Sequence, residues 1–200
     1  MQARLAAKDI VCRRGERLLF RKLSIDCVAG DAVHVTGPNG IGKSSLIRIL
    51  AGLLRPYAGD VQHYGGRGLV DERLALDANL PLSKALAFWE RLDGNADMGR
   101  AGDLLQLAPL LDIPVRYLST GQKKRAALAR LINSNCPIWL LDEPLNGLDH
   151  HAQTVFEALI DQHCRAGGIA IAASHQPIAL PTPQAVALAL RSFERPLFTH

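Results

Sequence analysis

At 200 residues, 48% hydrophobic and 21% charged, the chain is long enough to bury one core, and its composition excludes disordered and fibrous classes. Twenty-three Lys and Arg against 19 Asp and Glu leave a net charge of +4, too small an excess to argue for a nucleic-acid partner. The one dense basic run, Lys123-Lys124-Arg125, lacks base-stacking aromatics and reads as a solvated helix face. The longest apolar runs, 138–141, 169–173 and 185–190, fall far short of the ~18 residues that a bilayer helix needs. Residues 1–10 carry Arg4, Lys8 and Asp9 and lack the apolar core of an export signal. Cys12, Cys27, Cys136 and Cys164 show no C-x-x-C spacing, which argues against zinc and against a disulfide scaffold, and for a reducing cytosol.

In chain order, residues 5–12, 23–28 and 32–36 read as short strands, the second with Leu23, Ile25 and Cys27 alternating with Ser24 and Asp26. Cys12 and Cys27 fall in these runs as small buried hydrophobes. A glycine-rich turn follows Thr36, and Leu46, Ile47, Ile49, Leu50 and Leu53 give residues 44–53 a helical face. Residues 60–64 read as a strand. The stretch between Gly65 and Pro114 shows no long strand and reads as a small helical insertion, with helices over 83–92, N-capped by Ser83, and 101–107. Beyond it come a helix at 122–132, a buried strand at 138–141, a helix at 151–164 and a buried strand at 169–173. This alternation predicts an α/β fold with a mainly parallel sheet, N-terminal antiparallel strands and ligands beyond the carboxyl ends of the parallel strands. The tail after Pro181 has no clear reading.

Gly37-Pro38-Asn39-Gly40-Ile41-Gly42-Lys43-Ser44 fits G-x-x-x-x-G-K-[ST] between a predicted strand and a predicted helix. Such glycines let backbone N–H groups turn toward phosphate oxygens, the lysine reaches the outer phosphates, and the serine hydroxyl ligates Mg²⁺. Ninety-nine residues after Lys43, the apolar run 138–141 ends in Asp142-Glu143. In a chain with a phosphate loop this is the Walker B element: Asp142 holds Mg²⁺, and Glu143 is placed to polarise the attacking water.

Twenty-three residues before Asp142, Leu118-Ser119-Thr120-Gly121-Gln122 resembles the signature of ABC-type ATPases, usually Leu-Ser-Gly-Gly-Gln, with Thr120 in place of the first glycine. Lys123-Lys124-Arg125-Ala126-Ala127-Leu128-Ala129-Arg130 matches the family's basic, alanine-rich continuation; Leu148-Asp149 resembles its D-loop, and His175, 33 residues past Asp142, its switch histidine. His150 and His151 read as surface residues at a helix start. The likeness runs from about residue 5 to residue 175. Its narrower phrases, Leu128-Ala129-Arg130-Leu131 and Ser174-His175-Gln176-Pro177, resemble the ATP-binding subunit of the bacterial haem exporter of cytochrome c maturation.

The resemblance implies a single ABC-type ATP-binding domain over 1–200, with a helical subdomain at about 66–135. It implies ATP and Mg²⁺ as cofactors, and hydrolysis to ADP and phosphate. The ATP ligands would be residues 37–45, Ser45 included, and a second copy of the chain would clamp the same ATP through Ser119, Thr120, Gly121 and Gln122. It also implies integral membrane subunits as partners and a peripheral place on the cytoplasmic face of the bacterial inner membrane. Two positions depart from the family. Its adenine-stacking aromatic is replaced by Arg14, a guanidinium that either stacks on the base or is a plain surface charge. Its Q-loop glutamine has no clear match, and spacing points to Glu72. A ribosome- or DNA-directed ABC ATPase usually carries two cassettes or a long coiled coil, which this chain lacks. A P-loop kinase or GTPase is disfavoured by Ser119–Gln122 and by the adjacent Asp142-Glu143.

Overall fold

The computed structural model describes residues 2–94, 98–181 and 183–187. Two sheets carry it. Strands β1 (Arg4–Arg14), β2 (Arg17–Val28) and β4 (Ala58–Tyr64) form an antiparallel sheet in the order β2-β1-β4. Strands β3 (Ala32–Thr36), β5 (Arg67–Val70), β6 (Ile138–Asp142), β7 (Ile169–Ala173) and β8 (Pro183–Ala187) form a parallel sheet in the order β5-β6-β7-β3-β8. The helices are α1 (Lys43–Leu50), α2 (Leu82–Asp93), α3 (Met98–Leu104), α4 (Thr120–Asn133) and α5 (His150–Arg165), with two single 3₁₀ turns before α4.

Alternation along the parallel strands explains the layering. Val33, Val35, Ile138, Leu140, Ile169 and Ile171 point to one face, where α1 and the buried side of the antiparallel sheet cover them. Ala32, Trp139, Leu141, Ala170 and Ala172 point to the other, against Phe156 and Ile160 of α5 and Leu128 and Leu131 of α4. Because β6 and β7 are covered on both faces, every one of their residues is buried, which is why they read as unbroken apolar runs.

The structure corrects the sequence reading in several places. The first two strands are longer, closing a hairpin at the Arg14–Arg17 pair across Gly15. Arg17, Arg21 and Lys22 had hidden the start of β2 by breaking its alternation. The stretch from 66 onward, read as helical, opens with β5, a four-residue parallel partner of β6; the preceding glycine pair and Gly68 mask it. Ser83 is not the cap of α2: the N-cap is Pro81, two residues earlier, with no side-chain cap, and the helix begins at Leu82. The third predicted helix lies at Met98–Leu104, not 101–107. The basic run is not a solvated face, since Lys124 is only 7% exposed, while Lys123 and Arg125 donate to the carbonyls of Arg116 and Leu105. The tail supplies β8. Among the described residues, no helix is long and apolar enough to cross a membrane.

Cys12 and Cys27 are buried, as their strand positions predicted. Burial pushes the Cys27 thiol up to about 12 and the Cys164 thiol up to about 11. Only Cys136 among the four is partly exposed. Because the thiolate is the reacting form, a disulfide reagent at pH 8 is expected to label Cys136 within minutes, and all four only in denaturant. Fast labelling of Cys27 in the native chain, read by peptide mass, would contradict this packing.

Candidate nucleotide site

The phosphate loop leaves β3 and enters α1 through Gly42, whose φ of 116° is a left-handed geometry that favours glycine. Ile41 turns its side chain into the core, 2% exposed, and offers the site only its backbone. No acidic side chain sits in the first turn of α1, so the positive end of the helix is kept for an anion. The Lys43 Nζ is drawn back into the loop, donating to the Gly37 carbonyl at 2.8 Å and the Pro38 carbonyl at 3.4 Å.

Facing this loop is the end of β6. The Ser44 hydroxyl donates to Asp142 Oδ1 at 3.0 Å, joining residues 98 positions apart. Asp142 is 3% exposed; burial pushes its carboxyl up from the usual range, against the opposing effect of the Ser44 hydrogen bond. Glu143 has a φ of 46°, a costly conformation for a residue with a Cβ and one that clusters at functional sites. Its N–H donates to the Ala173 carbonyl at 2.8 Å, while its carboxylate meets His175 Nδ1 at 2.8 Å and Lys43 Nζ at 3.9 Å.

Here lies a cavity of about 450 Å³, with Asn39, Gly40, Gly42, Lys43, Ser44 and Ser45 on one wall and Glu143 and His175 on another; Asp142 is not among its lining residues. Arg14 and Leu19 close one side, and Glu72 also lines it. The two positions that depart from the family therefore do reach the site. Besides Leu19, sequence reasoning missed two residues. Asn146 lines the same cavity; its signal was a polar side chain three positions past Glu143. Asp71 pairs with Arg48 of α1 at 3.1 Å and accepts from the Arg73 N–H at 2.8 Å, fixing the loop that bears Glu72. Its signal was Asp-Glu after an apolar run, the same pattern that marked Asp142.

The residues at 119–122 and Asp149 are not among those lining this cavity. Ser119 caps α4: its hydroxyl accepts from the Gln122 N–H at 3.2 Å, and Gln122 Oε1 accepts from the Ser119 N–H at 2.8 Å, a reciprocal capping box. Thr120 opens the helix itself and is not among the residues of positive φ, so its place does not demand the family's glycine. Gly121 does demand one, because an added Cβ would lie 2.2 Å from the Gly147 carbonyl oxygen. Asp149 caps α5 by accepting from the Ala152 N–H at 2.8 Å. His150 and His151 are exposed at that helix start, as read.

Known proteins agree with this architecture. A family model described as ABC transporter matches residues 20–146. A cytochrome c biogenesis ATP-binding export protein CcmA of Novosphingobium aromaticivorans is 58% identical over 190 residues, covering 95% of this chain and 97% of its own. The CcmA of Rhodospirillum rubrum is 45% identical, covering 92% and 84%. Among solved structures, a chain assigned to a metal-chelate type ABC transporter in an inward-facing conformation superposes with a TM-score of 0.77 at 25% identity, covering 93% of this chain and 80% of its own. An ATP-binding subunit of an ABC transporter superposes at 0.76 and 21% identity, covering 84% and 78%. The chain belongs to the ABC transporter family, as an ATP-binding subunit and an ATPase.

Proposed function

We propose that the chain hydrolyses ATP for an exporter serving cytochrome c biogenesis, working as a head-to-tail pair beneath membrane-spanning subunits on the cytoplasmic face of the bacterial inner membrane. The haem exporter is the narrower assembly that the sequence resemblance pointed to. The observation carrying the hydrolytic reading is one cavity that gathers Lys43, Ser44, Glu143 and His175.

Lys43 exchanges its loop carbonyls for the outer phosphates, and the N–H groups around Gly40 and Gly42 cradle them. Arg14, which lines the cavity with Leu19, is read here as the residue that stacks on adenine. Ser44 and Asp142 are the residues that would hold Mg²⁺: two hard oxygen donors 3.0 Å apart. When bound, Mg²⁺ supplies neutralisation of the charge on the β- and γ-oxygens. Glu143 orients the attacking water and takes its proton, and His175, hydrogen-bonded to it, holds that carboxylate in place. Ser119–Gln122 of a second copy completes the γ-phosphate shell, since the N-terminus of α4 carries no acidic residue in its first turn to repel an anion.

ABC transporter ATP-binding subunits work with membrane subunits, and for these the chain offers an open groove of about 610 Å³ between α2 and the loop after Glu72. Leu80 and Phe88, exposed at 37% and 52%, give it an apolar floor; Asp77, Lys84, Glu90 and Arg91 give it a charged rim. We assign it to a segment of the membrane subunit, because its wall at Ala75, Asp77 and Leu80 continues the loop that carries Glu72. Phe88→Asp is expected to lower co-purification with the membrane subunits at least tenfold, leaving ATP affinity of the isolated chain within twofold. Full co-purification would overturn the groove assignment. The function itself is tested by deleting the gene: holo-cytochrome c should disappear and return with the wild-type chain but not with Lys43→Ala. Undiminished holo-cytochrome c would overturn the reading.

A further inference from the structure

Three segments meet on one side chain of α2. The Trp89 indole Nε1–H donates to the Ala75 carbonyl at 2.5 Å. The Arg130 guanidinium of α4 lies over the same ring, its carbon 3.5 Å from the centroid, and Phe88 packs edge-on at 5.3 Å. Burial pushes the Arg130 guanidinium below its ordinary value, and its Nε has no hydrogen-bond partner. A desolvated cation with an idle donor is costly; the charge of Asp93 offsets part of that cost, and the face of Trp89 is the contact laid directly against the guanidinium, of a kind that strengthens with desolvation.

The connected segments both lead to nucleotide. Ala75 belongs to the loop that is tied to α1 by the Asp71–Arg48 pair and that presents Glu72 to the chain's own cavity. Arg130 stands about three turns along α4 from its N-cap at Ser119. We propose that Trp89, pinned by Arg130, is a positioning residue for hydrolysis. It sets the register of the signature helix against the Glu72 loop, so that the part offered to a second chain's ATP and the part facing the chain's own ATP move together. This rests on the shared-site reading above. Without the pin, α4 stays folded on Ala126, Leu128, Ala129 and Leu131, all buried, but its N-terminus is free to shift.

The test uses the full chain, alone and in the Glu143→Gln background. Trp89→Leu is expected to lower kcat about tenfold and to weaken ATP-driven dimerisation of Glu143→Gln by a similar factor, with fluorescent-ATP affinity of the single chain within twofold. Trp89→Phe, which keeps a face for Arg130 but loses the N–H, should fall between, and it serves if the leucine variant does not fold. Adding Arg130→Leu to Trp89→Leu should cost little more, because the two act as one contact. A Glu143→Gln chain that stays monomeric with ATP overturns the shared-site reading and this inference with it. One that dimerises equally well with Trp89 replaced overturns this inference alone, as does a Trp89→Leu protein that loses thermal stability while kcat holds.

Discussion

Glu143→Gln is expected to cut ATP turnover by about 10²-fold or more, the range for losing a general base, while ATP still binds. The substitution keeps size and leaves Lys43, Ser44 and Asp142 in place. It removes the charge that Lys43 faces at 3.9 Å and the base, while the amide can still hydrogen-bond His175 Nδ1. With the γ-phosphate left intact, it goes on bridging two chains, so the variant should run as a dimer in ATP and as a monomer in ADP on size-exclusion chromatography. Ser119→Arg on the same background should abolish the dimer, since it removes the hydroxyl that caps α4 and sets bulk at its start. Wild-type turnover in Glu143→Gln would sink the base assignment.

The second large effect is at Lys43. Its ammonium is 6% exposed and makes the hydrogen bonds with the Gly37 and Pro38 carbonyls that nucleotide phosphates would replace. Losing charge-assisted bonds of this kind weakens binding by about 10²-fold. Thermal shift reads this directly. At an ATP concentration 100 times its Kd, the wild-type chain gains about 2.7 kcal/mol; a Lys43→Ala chain with a Kd raised about 10²-fold gains only about 0.4 kcal/mol at the same concentration. Without nucleotide the two should melt within a few degrees, because the loop carbonyls freed by the substitution can reach water. An equal ATP-induced shift in both proteins would remove Lys43 from the phosphate site.

What was legible in the sequence was whatever a short window or a fixed spacing encodes. β6 and β7 declared themselves because strands covered on both faces have no polar positions to interrupt them. The phosphate loop and Asp142-Glu143 declared themselves because phosphate chemistry restricts residue types at each step. The hairpin of β1 and β2 was obscured because Arg17, Arg21 and Lys22 are locally poor strand residues, and the edge strand β5 because Gly68 is another and its partner β6 lies far along the chain. Lys124 misled for the same reason. In a three-residue cationic run nothing local says which member turns inward, and burial against α4's neighbours decides it. Asn146 stayed hidden because a single polar residue in a turn carries no periodic signal, and Asp71, though half of an Asp-Glu pair after an apolar run, because only the folded loop brings it to Arg48.

The strand order also dictates a timetable for biosynthesis. Residues 4–64 can close the β2-β1-β4 sheet among themselves soon after they are made. β3, though it lies within that stretch, pairs with neither β1 nor β2: its partners are β7, with Ala32 opposite Ala170, and β8, with Ala32 opposite Pro183. Its first partner therefore lies 138 residues downstream. At about 5–20 residues per second, the strand that leads into the phosphate loop waits roughly 7–30 seconds on the ribosome with both edges open. In that interval Val33 and Val35 can pack on α1 and the antiparallel sheet, but both backbone edges of β3 lack their partners. Holdase chaperones that cover an apolar strand then matter most, and synonymous changes that slow translation between residues 36 and 169 lengthen the exposure and lower the yield of folded subunit.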